Sequence, residues 1–220
     1  MARRTQARGS GAGQAELRSR RPAGLGLIKQ NVLKLRDSLN ASVRTMPPST
    51  KPTEPVALTF ADDGVIPNNR LPFVLHRAAI DLTGSPDPER VVEKAFRDNH
   101  WGEMWRNGIY PYVHYHSMVH EAMGVARGRA KVRFGGNEGR EFDIAAGDVV
   151  VLPAGTGHQC LWASRDLVVI GAYPATGHYN LCRGSRAEHE QALVTIPQVP
   201  LPETDPVFGV DGLLMRLWRS

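Results

Sequence analysis

The chain has 220 residues, 41% of them hydrophobic, and a formal net charge of +5. That length suits one domain with extensions, and no apolar run approaches the roughly 20 residues of a membrane helix, which excludes a membrane-spanning helix. The basicity does not describe a nucleic-acid surface: residues 1–46 hold ten Lys or Arg against Glu16 and Asp37, whereas residues 47–220 hold 17 basic and 20 acidic side chains.

Residues 1–46, rich in Arg, Gly and Ala, predict a disordered basic leader, and residues 47–220 a single domain. Within the leader, Ile28, Val32, Leu35 and Leu39 fall at helical intervals among Lys29, Lys34 and Arg36. Three readings of it stay open: an organelle transit peptide, an accessory surface helix, or translation upstream of a true start at Met46. A cytoplasmic location is expected unless the first reading holds. The two cysteines, Cys160 and Cys182, form neither a disulfide framework nor a CxxC metal motif, which favours a reducing compartment.

From residue 47 the chain reads as proline-punctuated extended structure, with a strand over 71–80. Asp87 as cap and Pro88 in the first turn then predict a helix whose apolar face is Val91, Val92, Ala95 and Phe96, packed on the outside of the strands beyond it. After Trp101 come short alternating runs separated by Gly or Pro, which predict an antiparallel sandwich or barrel. In residues 130–135, Lys131 and Arg133 go to one side and Val132 and Phe134 to the other, as a barrel wall with one dry face requires.

Residues 114–121, HYHSMVHE, hold three histidines and a glutamate. On a helix His116 and His120 would share a face. On a strand His114 and His116 do, about 6.6 Å apart along the chain, which suits two imidazoles converging on one ion. Strand parity also turns Tyr110 and Tyr112 inward, groups Glu121 with Met123 and Val125, and leaves His120 on the outer, solvated side. A third element brings His158, with Cys160 and Trp162 on its face. The expected metal ligands are therefore His114, His116, Glu121 and His158, in a pocket of Tyr110, Tyr112, Met123, Cys160 and Trp162 without an inward Lys or Arg. His76, His100, His178 and His189 have no partner spacing and are read as structural.

Gly108, His114, His116, Glu121 and Gly128 match, gap for gap, the first motif of the cupin superfamily, and Gly147, Pro153, Gly155 and His158 match the second. Trp162 stands where the second motif often has Asn, a position that is not a metal ligand. The chain thus resembles a small single-domain cupin over residues 108–162. The resemblance implies an all-β fold, a double-stranded β-helix or jelly-roll barrel with one flanking helix, and often a homodimer. It also implies one divalent transition metal inside the barrel, among Fe, Mn, Ni, Co and Zn, since three His and one Glu suit all of these. Such a set leaves two of six coordination positions free, so three functions are expected to compete. They are an Fe(II) dioxygenase on an uncharged or aromatic small molecule, an isomerase or lyase with Glu121 moving a proton, and a non-catalytic binding or sensing barrel.

Overall fold

The computed structural model describes residues 54–220. The expectations for the leader, its disorder and the apolar face at 28–39 included, lie outside the described residues. Among the described residues there are nine strands, in chain order β1 (Val56–Leu58), β2 (Phe73–His76), β3 (Trp101–Asn107), β4 (Glu121–Arg127), β5 (Arg129–Phe134), β6 (Arg140–Ala145), β7 (Val149–Leu152), β8 (His158–Ala163) and β9 (Val168–Pro174). Three helices join them: α1 (Pro88–Asp98), α2 (Arg186–Thr195) and α3 (Leu213–Trp218). The strands form a six-stranded sheet in the order β1-β2-β7-β4-β9-β3 and a three-stranded sheet in the order β6-β5-β8. All pairings are antiparallel. The expected all-β cupin-type sandwich is the fold observed.

The core lies between the sheets. Phe73 and Leu75 of β2, Met123 and Val125 of β4, and Val150 of β7 meet Val132 and Phe134 of β5 and Ile144 of β6. In β5 the burial alternates residue by residue, as the sequence pattern requires. The larger sheet is buried on its other face too. There Ala122, Ala126, Val149, Val151 and Ile170 lie beneath Val92 and Phe96 of α1 and Leu214, Met215 and Trp218 of α3. This is why β7 is an unbroken run of buried Val and Leu instead of an alternating strand. At Gly124 a Cβ would stand 2.5 Å from Val92 Cγ1, so only glycine lets α1 lie this close to β4.

Helix α1 forms for the expected reasons: the Asp87 carboxylate accepts from the Arg90 N–H at 3.2 Å, Pro88 opens the first turn, and Val92 and Phe96 are buried. Helices α2 and α3 are additional to the one flanking helix expected. Helix α2 starts with a capping box, Ser185 and Glu188 each bonding the other's backbone N–H, but buries only Ala192. Helix α3 has six residues and is held by tertiary contacts, through the buried Leu214, Met215 and Trp218 and through Asp205. Asp205 is fully buried; its carboxylate accepts from the N–H groups of Val207, Phe208 and Leu214 and lies 3.1 Å from His76 Nε2. That last contact has ion-pair distance but not hydrogen-bond alignment.

His76, read as structural, is therefore one end of the latch that fastens the C-terminal segment to β2. Asp205→Ala would strand His76 and three amide donors, and should cost about 3–5 kcal/mol in urea unfolding. Burial opposes the Asp205 charge, but His76 and the amides outweigh it and hold the carboxyl below its ordinary value. Its stabilisation is thus complete above about pH 4 and fades as pH falls further, a slope that the Asp205→Asn variant should lack.

Candidate metal centre

Two segments distant in sequence are joined at the site by backbone pairing. Residues 108–117, within the alternating runs after Trp101, are not a continuous ladder: Pro111, which has no N–H, sits in a bend, and only isolated bridges come after it. His114 N donates to His158 O at 3.2 Å and His158 N to His114 O at 2.9 Å. On the other side Tyr115 and Cys182 exchange a similar pair, at 3.1 and 2.9 Å. Gly155 N donates to His116 O at 2.7 Å. Gly155 has φ +88°, and a Cβ there would stand 2.5 Å from Asn68 O, so the motif's glycine is what allows this close turn. The side-chain alternation expected of a strand survives: His114 and His116 point to one side and the buried Tyr115 to the other.

The rings are aimed by their outer nitrogens. Nδ1 of His114 faces the Tyr112 carbonyl at 3.1 Å, Nδ1 of His158 faces the Thr156 carbonyl at 3.2 Å, and Nδ1 of His116 bonds the Asn180 carbonyl. A carbonyl only accepts, so each Nδ1 carries the proton and each Nε2 presents a lone pair inward. The donor atoms of the three rings lie within 4.8 Å of one another. Glu121, the first residue of β4, sends Oε2 to 3.5 Å from both His116 Nε2 and His158 Nε2.

All four residues are at least 95% buried. Burial drives His158 down to about 3 and also lowers His114, so both stay neutral. Burial pulls on His116 as well, but the adjacent Glu121 carboxylate outweighs it and the shift is upward. Burial would raise Glu121, yet the surrounding rings, His116 foremost, hold it at about 2. An ionised Glu121 and neutral His114 and His158 are the states in which these groups bind metals, and His116 gives up its proton to an arriving ion.

The residues present fit a divalent metal. Glu121 Oε2 is buried without a hydrogen-bond partner, which is costly unless something positive sits before it. Two donors each about 2.1 Å from one ion stand about 3.0 to 3.4 Å apart, close to the carboxylate–imidazole distances here. His114, His116 and His158 form a three-histidine site for such an ion.

The site opens into a cavity of about 370 Å3. Tyr110 and Met123 line it as expected. Tyr112 does not; it stacks on Tyr110 at 4.9 Å, with the Arg183 guanidinium 3.9 Å from its ring centroid. Cys160 and Trp162 do not line it either. The β5–β8 register shifts between Lys131 and Val132, so Leu161 is an extra residue that breaks the parity assumed for β8. Trp162 is 51% exposed, with Arg129 over its ring, and Cys160 packs at the edge of the inter-sheet core.

His120 is the clearest correction. It is on the outer side of β4, as parity requires, but is 1% exposed because α3 covers that face. Its Nδ1 accepts from Ala154 N at 3.0 Å, Trp218 lies 4.7 Å from its ring, and burial takes it down to about 4. An Arg also lines the cavity, contrary to expectation, but Arg106 is paired with Glu93 at 2.5 Å.

The residues missed from sequence include Glu103, Trp105, Tyr173 and Tyr179, which line the cavity, and Asn180, which orients His116. Three of these belong to residues 173–184, a stretch with two Gly, two Tyr and no apolar alternation that would reveal which way its side chains face.

No family model matches the chain. The uncharacterised protein YjlB of Bacillus subtilis (strain 168) is 39% identical over 160 residues, spanning 72% of this chain and 93% of YjlB. Among solved structures, a DUF861 family protein from Thermotoga maritima is 20% identical, with a TM-score of 0.27 over 40% of this chain and 89% of its own. Acireductone dioxygenase from Bacillus anthracis, with cadmium in its active centre, is 15% identical, with a TM-score of 0.31 over 40% of this chain and 61% of its own. Identity across nearly all of YjlB places the chain in the YjlB family, and the two motif blocks, paired inside an antiparallel sandwich around three inward imidazoles, make it a cupin.

Proposed function

We propose that this protein is a metal-dependent enzyme acting on a small aromatic molecule, with an Fe(II) dioxygenase as the leading form. The observation that supports it is the meeting of three imidazole Nε2 atoms and one unpaired carboxylate oxygen at the buried end of an aromatic-walled cavity. His114, His116 and His158 would hold the ion as neutral ligands, with Glu121 as the fourth. When bound, the ion supplies Lewis acidity and, if it is iron, redox chemistry with dioxygen.

The chain's own residues supply the rest. Trp105, Tyr110 and Tyr179 offer ring faces against which an aromatic substrate can lie, and they keep water from the buried end. The Trp105 indole donates to Tyr173 OH at 3.0 Å, which fixes the phenol and leaves its own proton free to donate. Burial raises Tyr173 far above its ordinary value, so that proton stays in place.

Isomerase or lyase chemistry is the second reading. What favours it is Glu121 Oε2, which lacks any hydrogen bond and could take a proton from a substrate carbon. Oxygen uptake with iron and an aromatic panel supports the first reading; turnover retained under anaerobiosis with Mn or Zn supports the second. Tight ligand retention with no turnover under either condition would reject both in favour of a binding barrel.

His116→Ala and His158→Ala should each lose bound metal by elemental analysis while remaining folded. His120→Ala should keep it and instead lose about 2–3 kcal/mol of stability, since Ala154 N–H is left unpaired beside a void under Trp218. Asn180 holds the mouth segment by accepting from Ser117 N and donating to Ser117 Oγ, both at 2.9 Å. Asn180→Ala should therefore weaken metal affinity about 10–100-fold through His116, as measured by competition with a chelator.

A further inference from the structure

We propose that Glu103 is a specificity residue of this cavity, and that it selects substrates carrying a cationic amine group beside their aromatic ring. The inference rests on the reading of the cavity as a substrate site and adds the charge of what enters it.

Along β3, Gly102 pairs with Tyr173 of β9, but the next pair is Trp105 with Gly171. Glu103 and Met104 therefore oppose the single residue Ala172, which defines a β-bulge. The first residue of such a bulge, when left-handed, is normally glycine; here it is Glu103, at φ +47°. A side chain there is strained, and strain of this kind gathers at functional sites. The bulge separates the two residues: Met104 packs against the outer core, whereas Glu103 joins the cavity wall.

The chemistry of the wall then fits one kind of group. Glu103 makes no ion pair and no side-chain hydrogen bond among the described residues, whereas Glu89 and Glu93 on the adjoining helix are each matched to an arginine. The cationic side chain in the wall, Arg106, is the one bound by Glu93. The outer part of the cavity therefore presents an exposed, uncommitted carboxylate in the same wall as the rings of Trp105, Tyr110 and Tyr179. A carboxylate next to aromatic faces is the arrangement that attracts an ammonium group. The same tyrosine cluster already holds a cation at its edge, where Arg183 lies on Tyr112.

The test uses the full-length protein loaded with Zn(II) and two probes: benzyltrimethylammonium, permanently charged and unable to ligate a metal, and neutral benzyl alcohol. Calorimetry should show the cation binding about tenfold tighter than the alcohol. Glu103→Gln should abolish that preference while leaving the affinity for benzyl alcohol unchanged. Glu103→Gly should abolish it too and, by relieving the left-handed strain, raise the melting temperature by about 2–4 °C. Equal affinity for the two probes, a preference that survives in Glu103→Gln, or no binding of either probe at millimolar concentration would each overturn the proposal. Zinc content is read on the same samples. One zinc per chain with no cation preference rejects the role of Glu103 and leaves the metal site standing; absent zinc rejects the metal site, while the preference is still scored on the metal-free protein.

Discussion

His114 and His158 are separated by more than forty residues, yet they exchange both backbone hydrogen bonds and set their rings 4.0 Å apart. That exchange, flanked by Gly155 N to His116 O and Cys160 N to Tyr110 O, fixes the register between two chain segments distant in sequence. Each half of the site has its own local order, but only the pairing places three Nε2 atoms on one side of the sheet. The carbonyls of Tyr112, Thr156 and Asn180 then remove the remaining rotational freedom of the rings. Geometry of this kind is built before any ion arrives, which lowers the ordering cost of binding one.

The larger sheet explains why the arrangement is rigid. Its β4 and β7 strands are buried on both faces, against the smaller sheet within and against α1 and α3 outside. Glu121 opens β4 and is paired with Leu152 at the end of β7, so the one carboxylate of the site stands at the end of a ladder covered on both faces. Burial of the Glu121 charge is offset chiefly by His116, and its unpaired oxygen marks the direction from which further positive charge is expected.

The strands, the capped helix α1 and the spacing of the four polar residues were readable because each leaves a local signature. Alternation marked β5, Asp87 and Pro88 marked α1, and the gaps between His114, His116 and Glu121 carried the family motif. Parity failed wherever the backbone departs from a plain ladder. The extra residue Leu161 in β8 turned Trp162 outward, and the bulge at Glu103 and Met104 brought a carboxylate into the wall that no alternation rule would place there. His120 was misread for a different reason: its facing was right, but the helix that covers it comes a hundred residues later. Helix α2 did leave a signal, Ser185 followed by Glu188, that hydrophobic periodicity could not supply, since that helix buries almost nothing.

The most direct test is X-ray absorption at the metal edge of the full-length protein purified with its native ion. Three imidazole nitrogens with oxygen donors near 2.1 Å, and no sulfur, are the expected first coordination sphere, since Cys160 and Cys182 lie outside the site. A sulfur ligand, fewer than three histidines, or a chain that takes up no transition metal would contradict the account.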